Sequence, residues 1–220
     1  MTKPIMLITG SSRGVGLACA QHFNDSYSIV GVARTPGEFV TELGDITDPV
    51  FREMIVEKYT PKVFINNAGV AGSNFDAMYS TNIEAAGFLL LNFYKKMLWG
   101  HIINVSSVSA NISGRHTTSL SELTYKASKV FLKNLSNNLS NKRAKPLVIT
   151  SLEPDYIYTD LIASASSRPP PDENYTNYKF NSYTPMQPEY IAQTIEWIIS
   201  QPPWVCIKSL EISNAYELRQ

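Results

Sequence analysis

The chain has 220 residues, 44% hydrophobic and 17% charged, with 19 Lys and Arg balanced by 19 Asp and Glu. So much apolar residue at zero formal charge predicts one sizeable core, and it argues against a disordered chain or a protein whose main partner is nucleic acid or an anionic membrane. Cys19 and Cys206 form neither a disulfide framework nor a zinc spacing, and no apolar run approaches the roughly 18 residues of a membrane helix. The opening MTKPIMLITG lacks the regions of a signal peptide, so a cytoplasmic single domain over 1–220 is expected, with no metal.

In chain order, the first apolar run is Ile5-Met6-Leu7-Ile8, followed by a glycine-rich turn and a helix pattern over 15–24. Ile29-Val30-Gly31-Val32 comes next, then a helix over 50–58, the run Val63-Phe64-Ile65 and a long helix over 76–99. His101-Ile102-Ile103-Asn104-Val105, a helix over 123–139, Leu147-Val148-Ile149-Thr150-Ser151-Leu152, a helix over 189–201 and a strand over 207–212 complete the series. Runs this short and this continuously apolar fit strands buried on both faces. Their alternation with helices predicts an α/β protein with a doubly wound parallel sheet in a three-layer α/β/α arrangement. The segment 161–185, with Pro169-Pro170-Pro171 and four aromatic residues, breaks the rhythm and predicts a substrate lid over 160–186.

All 11 glycines lie between Gly10 and Gly114, and the earliest are the most informative. Thr9-Gly10-Ser11-Ser12-Arg13-Gly14-Val15-Gly16 stands between the first strand and the first helix. Glycines there allow a tight turn and close approach of a pyrophosphate, which the free N–H groups at the helix start would bind. The plainer reading is a strand-to-helix turn and no more, but the position between strand and helix favours a dinucleotide. At the end of the second strand, Arg34 stands where a carboxylate would hold the ribose of NAD. A guanidinium grips a 2′-phosphate instead, and Arg13 stands ready to share it, unless both are simply solvated; together they favour NADP(H).

Taken together, these residues resemble the single-domain short-chain dehydrogenase/reductase family over nearly the whole chain. The family's T-G-x-x-x-G-x-G turn is matched by Thr9, Gly10, Gly14 and Gly16, with Ser12, Arg13 and Val15 between them, and its N-N-A-G motif by Asn66-Asn67-Ala68-Gly69. Asp45 and Ile46, in Gly44-Asp45-Ile46-Thr47-Asp48, resemble its adenine-binding segment. The resemblance implies a Rossmann-type fold and a catalytic set of Asn82, one serine of Asn104-Val105-Ser106-Ser107 (read as Ser107), and Tyr125 with Lys129 from Tyr125-Lys126-Ala127-Ser128-Lys129. Pro154, Ile157 and Thr159 match positions that bracket the nicotinamide; Asp155 stands where the family has glycine, and either points to solvent or takes part in substrate selection. The tail, with Gln187-Pro188-Glu189-Tyr190 and Pro202-Pro203-Trp204, resembles the branch oxidising serine and related 3-hydroxy acids.

Tyr125 and Lys129 lie four apart and share a helix face, so the ammonium is expected to lower the phenol's pKa and let it give or take a proton. Ser107 would hydrogen-bond the substrate oxygen, Lys129 would hold the nicotinamide ribose, and Asn82 would place a relay water. The implied activity is hydride transfer between NADP(H) and a small alcohol or carbonyl. Alternatives are reduction of an imine or enone, and a cofactor-binding regulator without turnover. Family members usually form homodimers or homotetramers through the helices bearing Asn82 and Tyr125. Three spacings depart from the family: only a turn fits between Arg34 and Asp45, the stretch 67–82 is short, and 107–125 carries an insertion with His116 beside the substrate. His22 and His101 read as structural.

Overall fold

The computed structural model describes residues 2–111, 119–142, 146–161 and 186–213. His116 and all but the ends of the expected lid over 160–186 lie outside the described residues.

Each apolar run is a strand: β1 (Ile5–Thr9), β2 (Ser28–Ala33), β4 (Val63–Asn66), β5 (Gly100–Val105) and β6 (Leu147–Pro154), with short β3 (Val40–Leu43) and β7 (Ser209–Ile212) at the edges. They form one seven-stranded sheet in the order β3-β2-β1-β4-β5-β6-β7. Every pairing is parallel. β1 and β4 are almost wholly buried, which is why their sequences carry no alternation. The edge strands β3 and β7 do alternate.

Helices cover both faces. On one side α1 (Gly14–Phe23) and α6 (Pro188–Ile199) close over Met6, Ile8, Ile65, Ile103 and Leu152. On the other, α2 (Pro49–Lys58), α4 (Ala86–Lys96) and α5 (Leu120–Asn141) bury Leu7, Phe64, Ile102 and Ile149. Neighbouring residues such as Leu7 and Ile8 thus serve opposite cores, as the two-residue period of a strand requires. The result is a Rossmann-like α/β/α fold. Because the chain leaves β1 toward β2 on one side and returns to β4 on the other, a crevice opens beyond the carboxyl ends of β1 and β4, where sheets of this topology bind ligands.

Several boundaries differ from expectation. The helix over 76–99 is interrupted: a short α3 (Phe75–Met78) runs into a π-helical stretch, Tyr79–Ala85, before α4 begins. The wider turn contains Asn82, whose side chain is claimed from outside the helix, so a tertiary bond overrides the regular ladder. The helix also stops at Lys96 rather than 99, since Met97 is extended. α5 starts at Leu120 rather than 123 because Ser119 caps it, and β7 starts at Ser209 rather than 207. As the short spacing implied, β2 and β3 are joined by a turn without a helix. His22 pairs with Glu196 at 2.9 Å to link α1 and α6. Burial, helped by the Lys62 charge, pulls the His101 pKa down to about 4, which keeps it neutral.

Candidate active site

The predicted site residues follow the carboxyl ends of the strands in order: Gly10, Ser12, Arg13, Gly14 and Val15 after β1, Arg34 after β2, Asp45 and Ile46 after β3, and Asn67, Ala68 and Gly69 after β4. Ser107 follows β5, Pro154 ends β6, and Ile157 and Thr159 come next. Parallel pairing is what gathers them, since it aligns every carboxyl end on one edge.

The turn after β1 is shaped for a close ligand. Gly10 has φ of +72°, a left-handed conformation that other residues adopt only with strain. A Cβ on Gly16 would run into the Gly10 carbonyl and stand 2.8 Å from Asn67 Nδ2. Arg13, at the N-cap of α1, provides no side-chain cap, whereas Asp48 caps α2 and Ser119 caps α5. The first N–H groups of α1 are therefore left for an anion, which fits a pyrophosphate. Thr9 locks this turn to the next: its Oγ1 accepts from the backbone N–H groups of Asn67 and Ala68, both at 3.0 Å. Asn67 Nδ2 returns a bond to the Thr9 carbonyl at 2.9 Å. Thr9 was read only as a motif letter, and its role emerges from these bonds.

At the β2 end, Arg34 Nη1 lies 3.6 Å from Asp45 Oδ2, with both side chains partly exposed. Asp45 also accepts from the backbone and hydroxyl of Thr47, at 2.9 Å each. Thr35 Oγ1 donates to Ser12 Oγ at 3.0 Å, drawing the β2 turn against the glycine turn. Arg13 Nη1 stands 3.6 Å from Asp160 Oδ2, across the groove. Thr159 comes within 3.1 Å of where a Gly14 Cβ would be, so the chain after β6 closes against the glycine turn. Ile157 is buried and bridges to Met186.

Asn82, Ser107, Tyr125 and Lys129 converge at the middle of this edge. Asn82 forms a reciprocal clip with Val70, accepting from its N–H at 2.9 Å and donating to its carbonyl at 2.8 Å. The same amide reaches Ser128 Oγ at 3.2 Å, and Ser128 bonds the Tyr125 carbonyl at 2.7 Å. Lys129 Nζ donates to the Val105 carbonyl at 3.0 Å and stands 5.6 Å from the centre of the Tyr125 ring. A Cβ on Gly69 would be 3.4 Å from Asn82 Oδ1 and 3.6 Å from Lys129 Nζ, which puts the N-N-A-G turn beside both. The two serines diverge: Ser106 Oγ is buried and donates to the Lys129 carbonyl at 3.0 Å, whereas Ser107 hydrogen-bonds Tyr125. Ser107 Oγ also accepts from the Ser109 N–H at 3.1 Å as the cap of the 3₁₀ turn Val108–Ala110.

One expectation is corrected. The Tyr125 phenol is not lowered by Lys129; burial pushes it up to about 12, with neighbouring Tyr156 adding to the rise and the Ser107 hydrogen bond opposing it. Burial also brings Lys129 down to about 8. An ammonium that is itself poorly solvated, and bonded to a carbonyl, does not offset removal of the phenolate from water. Among the described residues, no group of three or more His, Cys, Asp or Glu side chains comes together to hold a metal, and no helix is long and apolar enough to cross a membrane.

A family model described as short chain dehydrogenase matches residues 4–170. The chain belongs to the short-chain dehydrogenase family. Among curated members, it is 29% identical to a serine 3-dehydrogenase of Rhizobium radiobacter over 243 aligned positions, covering 94% of this chain and 92% of that one. Of solved structures, a serine dehydrogenase complexed with NADP+ superposes with a TM-score of 0.76 at 19% identity, covering 94% of each chain. A 4-hydroxyisoleucine dehydrogenase complexed with NADH reaches 0.76 at 20%, covering 99% of this chain and all of that one. The protein is accordingly an oxidoreductase of the short-chain dehydrogenase family, and the expected Rossmann-like fold and family resemblance both hold.

Proposed function

We propose that this short-chain dehydrogenase interconverts a small alcohol and its carbonyl with NADP(H), using Tyr125 as acid and base. The observation that carries the reading is the convergence of Ser107, Tyr125 and Lys129 beside the N-N-A-G turn, with Asn82 clipped behind them. The nicotinamide, when bound, supplies or takes the hydride. Ser107 Oγ accepts from the Ser109 N–H and bonds Tyr125, and its hydroxyl would turn to the substrate oxygen when a substrate sits between the two. At about 12, Tyr125 keeps its proton at neutral pH, which prepares it to donate to a nascent alkoxide in carbonyl reduction. Lys129 would hold the ribose and pass a proton toward the Tyr125 hydroxyl, with Asn82 placing the relay water. Gly10, Ser12, Gly14 and Val15 would hold the pyrophosphate; Asp45, Ile46, Asn67, Ala68 and Gly69 the adenosine side; and Pro154, Ile157 and Thr159 the nicotinamide.

Arg34, at the β2 end, favours a 2′-phosphate, and Arg13, in the glycine turn and 3.6 Å from Asp160, would share it on leaving that carboxylate. Their present pairings with Asp45 and Asp160 are exposed and worth little, so both guanidiniums are free to turn to a phosphate. The relationship to serine 3-dehydrogenase supports a hydroxy acid as substrate. Assembly as a homodimer or homotetramer through α4 and α5 is supported by the exposed Leu91, Leu120, Leu123 and Phe131. A fluorescence titration with NADPH and NADH, followed by a panel of hydroxy acids, ketones, aldehydes, imines and enones, tests the reading. NADPH is expected to bind more tightly and to be consumed with at least one carbonyl. Equal or tighter NADH binding overturns the cofactor assignment, and consumption with imines or enones alone overturns the substrate class.

A further inference from the structure

An ionic cluster built on one buried carboxylate lies beside the turn that bears Ser107. Glu153, next to last in β6, is 1% exposed. Its Oε2 accepts from Lys133 Nζ at 2.8 Å and from Asn111 Nδ2 at 3.2 Å, and its Oε1 accepts from Ser209 Oγ on β7. Asn111 takes a further bond from the Lys133 ammonium on its Oδ1 and donates to Glu211 on β7. One amide is therefore held by α5, β6 and β7 at once. A buried ion pair is weak evidence for stability, since well-packed apolar side chains serve as well or better; what it supplies is a fixed geometry.

The geometry points to Asn111 as a positioning residue that holds Ser107 against Tyr125, anchored on the Lys133–Glu153 pair. Ser107 caps a turn of only three residues, closed by Ala110 N–H to the Ser107 carbonyl and Asn111 N–H to the Val108 carbonyl, both at 2.9 Å. Asn111 follows directly, so its side chain pins the far end of that turn. Lys133 is four residues beyond Lys129 and eight beyond Tyr125 on α5, hence on the same helix face. Fastening Asn111 to Lys133 registers the serine turn on the helix that carries the tyrosine. Glu153 precedes Pro154, which ties the same anchor to the nicotinamide side of the groove.

This rests on reading Ser107 and Tyr125 as the reacting pair, and the test separates the two ideas. Asn111→Ala is expected to lower kcat by about tenfold while the Kd for NADPH stays within about twofold, because the phosphate and adenosine contacts lie elsewhere on the sheet edge. In the cycle with Ser107→Ala, the double variant should be no slower than Ser107→Ala alone within about twofold, as for residues acting through one contact. Ser209→Ala, which loosens Glu153 on the side away from Ser107, should lower the melting temperature but keep kcat within about twofold. Wild-type kcat in Asn111→Ala, multiplying losses in the double variant, or an equal kcat loss in Ser209→Ala overturns the positioning role. If Asn111→Ala does not fold, Asn111→Ser is carried through the same cycle. Full activity in both Ser107→Ala and Tyr125→Phe instead removes the parent reading, and this one with it.

Discussion

Gly16→Ala puts a single methyl at the tightest point of the turn we propose as the dinucleotide cradle. The new Cβ meets the Gly10 carbonyl oxygen and carbon, with Asn67 Nδ2 at 2.8 Å. Two of those three atoms are backbone, so relief requires α1 to move off the turn after β1. Overpacking of this kind costs about 1–3 kcal/mol, against a gain of about 0.5–1 kcal/mol for alanine over glycine inside a helix. Because two of the clashing atoms are backbone, the upper half of that cost applies, and the net loss of about 1–2.5 kcal/mol corresponds to a fall in melting temperature of roughly 2–10 °C for a domain of this size. The same movement spoils the N–H cradle, and we expect NADPH to bind at least about tenfold more weakly. Gly69→Ala is the control: its nearest contacts, 3.4 Å to Asn82 Oδ1 and 3.6 Å to Lys129 Nζ, are ordinary, so a shift of only about 2 °C or less is expected. Thermal unfolding and NADPH fluorescence titration report both quantities. A Gly16→Ala protein with the melting temperature and NADPH affinity of the wild type would falsify the assignment of this turn as the phosphate cradle.

Arg34→Ala should weaken NADPH by about 10–100-fold, the worth of a charge-assisted bond to phosphate, while NADH changes by less than about twofold; parallel titrations check it, and an equal loss for both cofactors contradicts it. Because burial holds Lys129 near 8, its ammonium is present below that pH and lost above it, while Tyr125 keeps its proton to about 12. The kcat/KM for carbonyl reduction should therefore fall as pH rises through about 8; a profile flat to pH 10 would mean that the Lys129 charge is not needed. Phe93→Ala removes a fully buried ring packed 4.6 Å from Phe64 and is expected to cost about 3–5 kcal/mol, read as a lower midpoint in urea unfolding; a loss under about 1 kcal/mol would contradict the packing.

Local chemistry accounts for what was legible in the sequence. The central strands are short and uniformly apolar because both faces are buried, and the glycine turn is readable because a left-handed Gly10 and a Cβ-free Gly16 leave few substitutes. Tyr125 and Lys129 are legible through the resemblance to the family's Y-x-x-x-K motif, whose spacing puts both on one helix face. Features set by distant partners were not. The π-helical turn at Asn82 depends on Val70, and helix periodicity carries no sign of it. The upward shift of Tyr125 is not legible in the sequence, because spacing shows a nearby ammonium but not the removal of water. The Asn111, Lys133 and Glu153 cluster joins residues from three parts of the chain; its only trace is Glu153, the one charged residue of β6. Ser107 was the serine expected from the sequence, and the structure adds what the sequence could not show, that Ser106 is committed to the Lys129 carbonyl.

The central claim is that Tyr125 delivers the proton that completes hydride transfer. Steady-state NADPH consumption by the wild type and by Tyr125→Phe, with the carbonyl that the panel identifies, tests it most directly. Loss of a positioned general acid predicts a kcat about 10²–10⁴-fold lower with NADPH affinity within about twofold. Equal turnover by the two proteins would show that the proton comes from elsewhere.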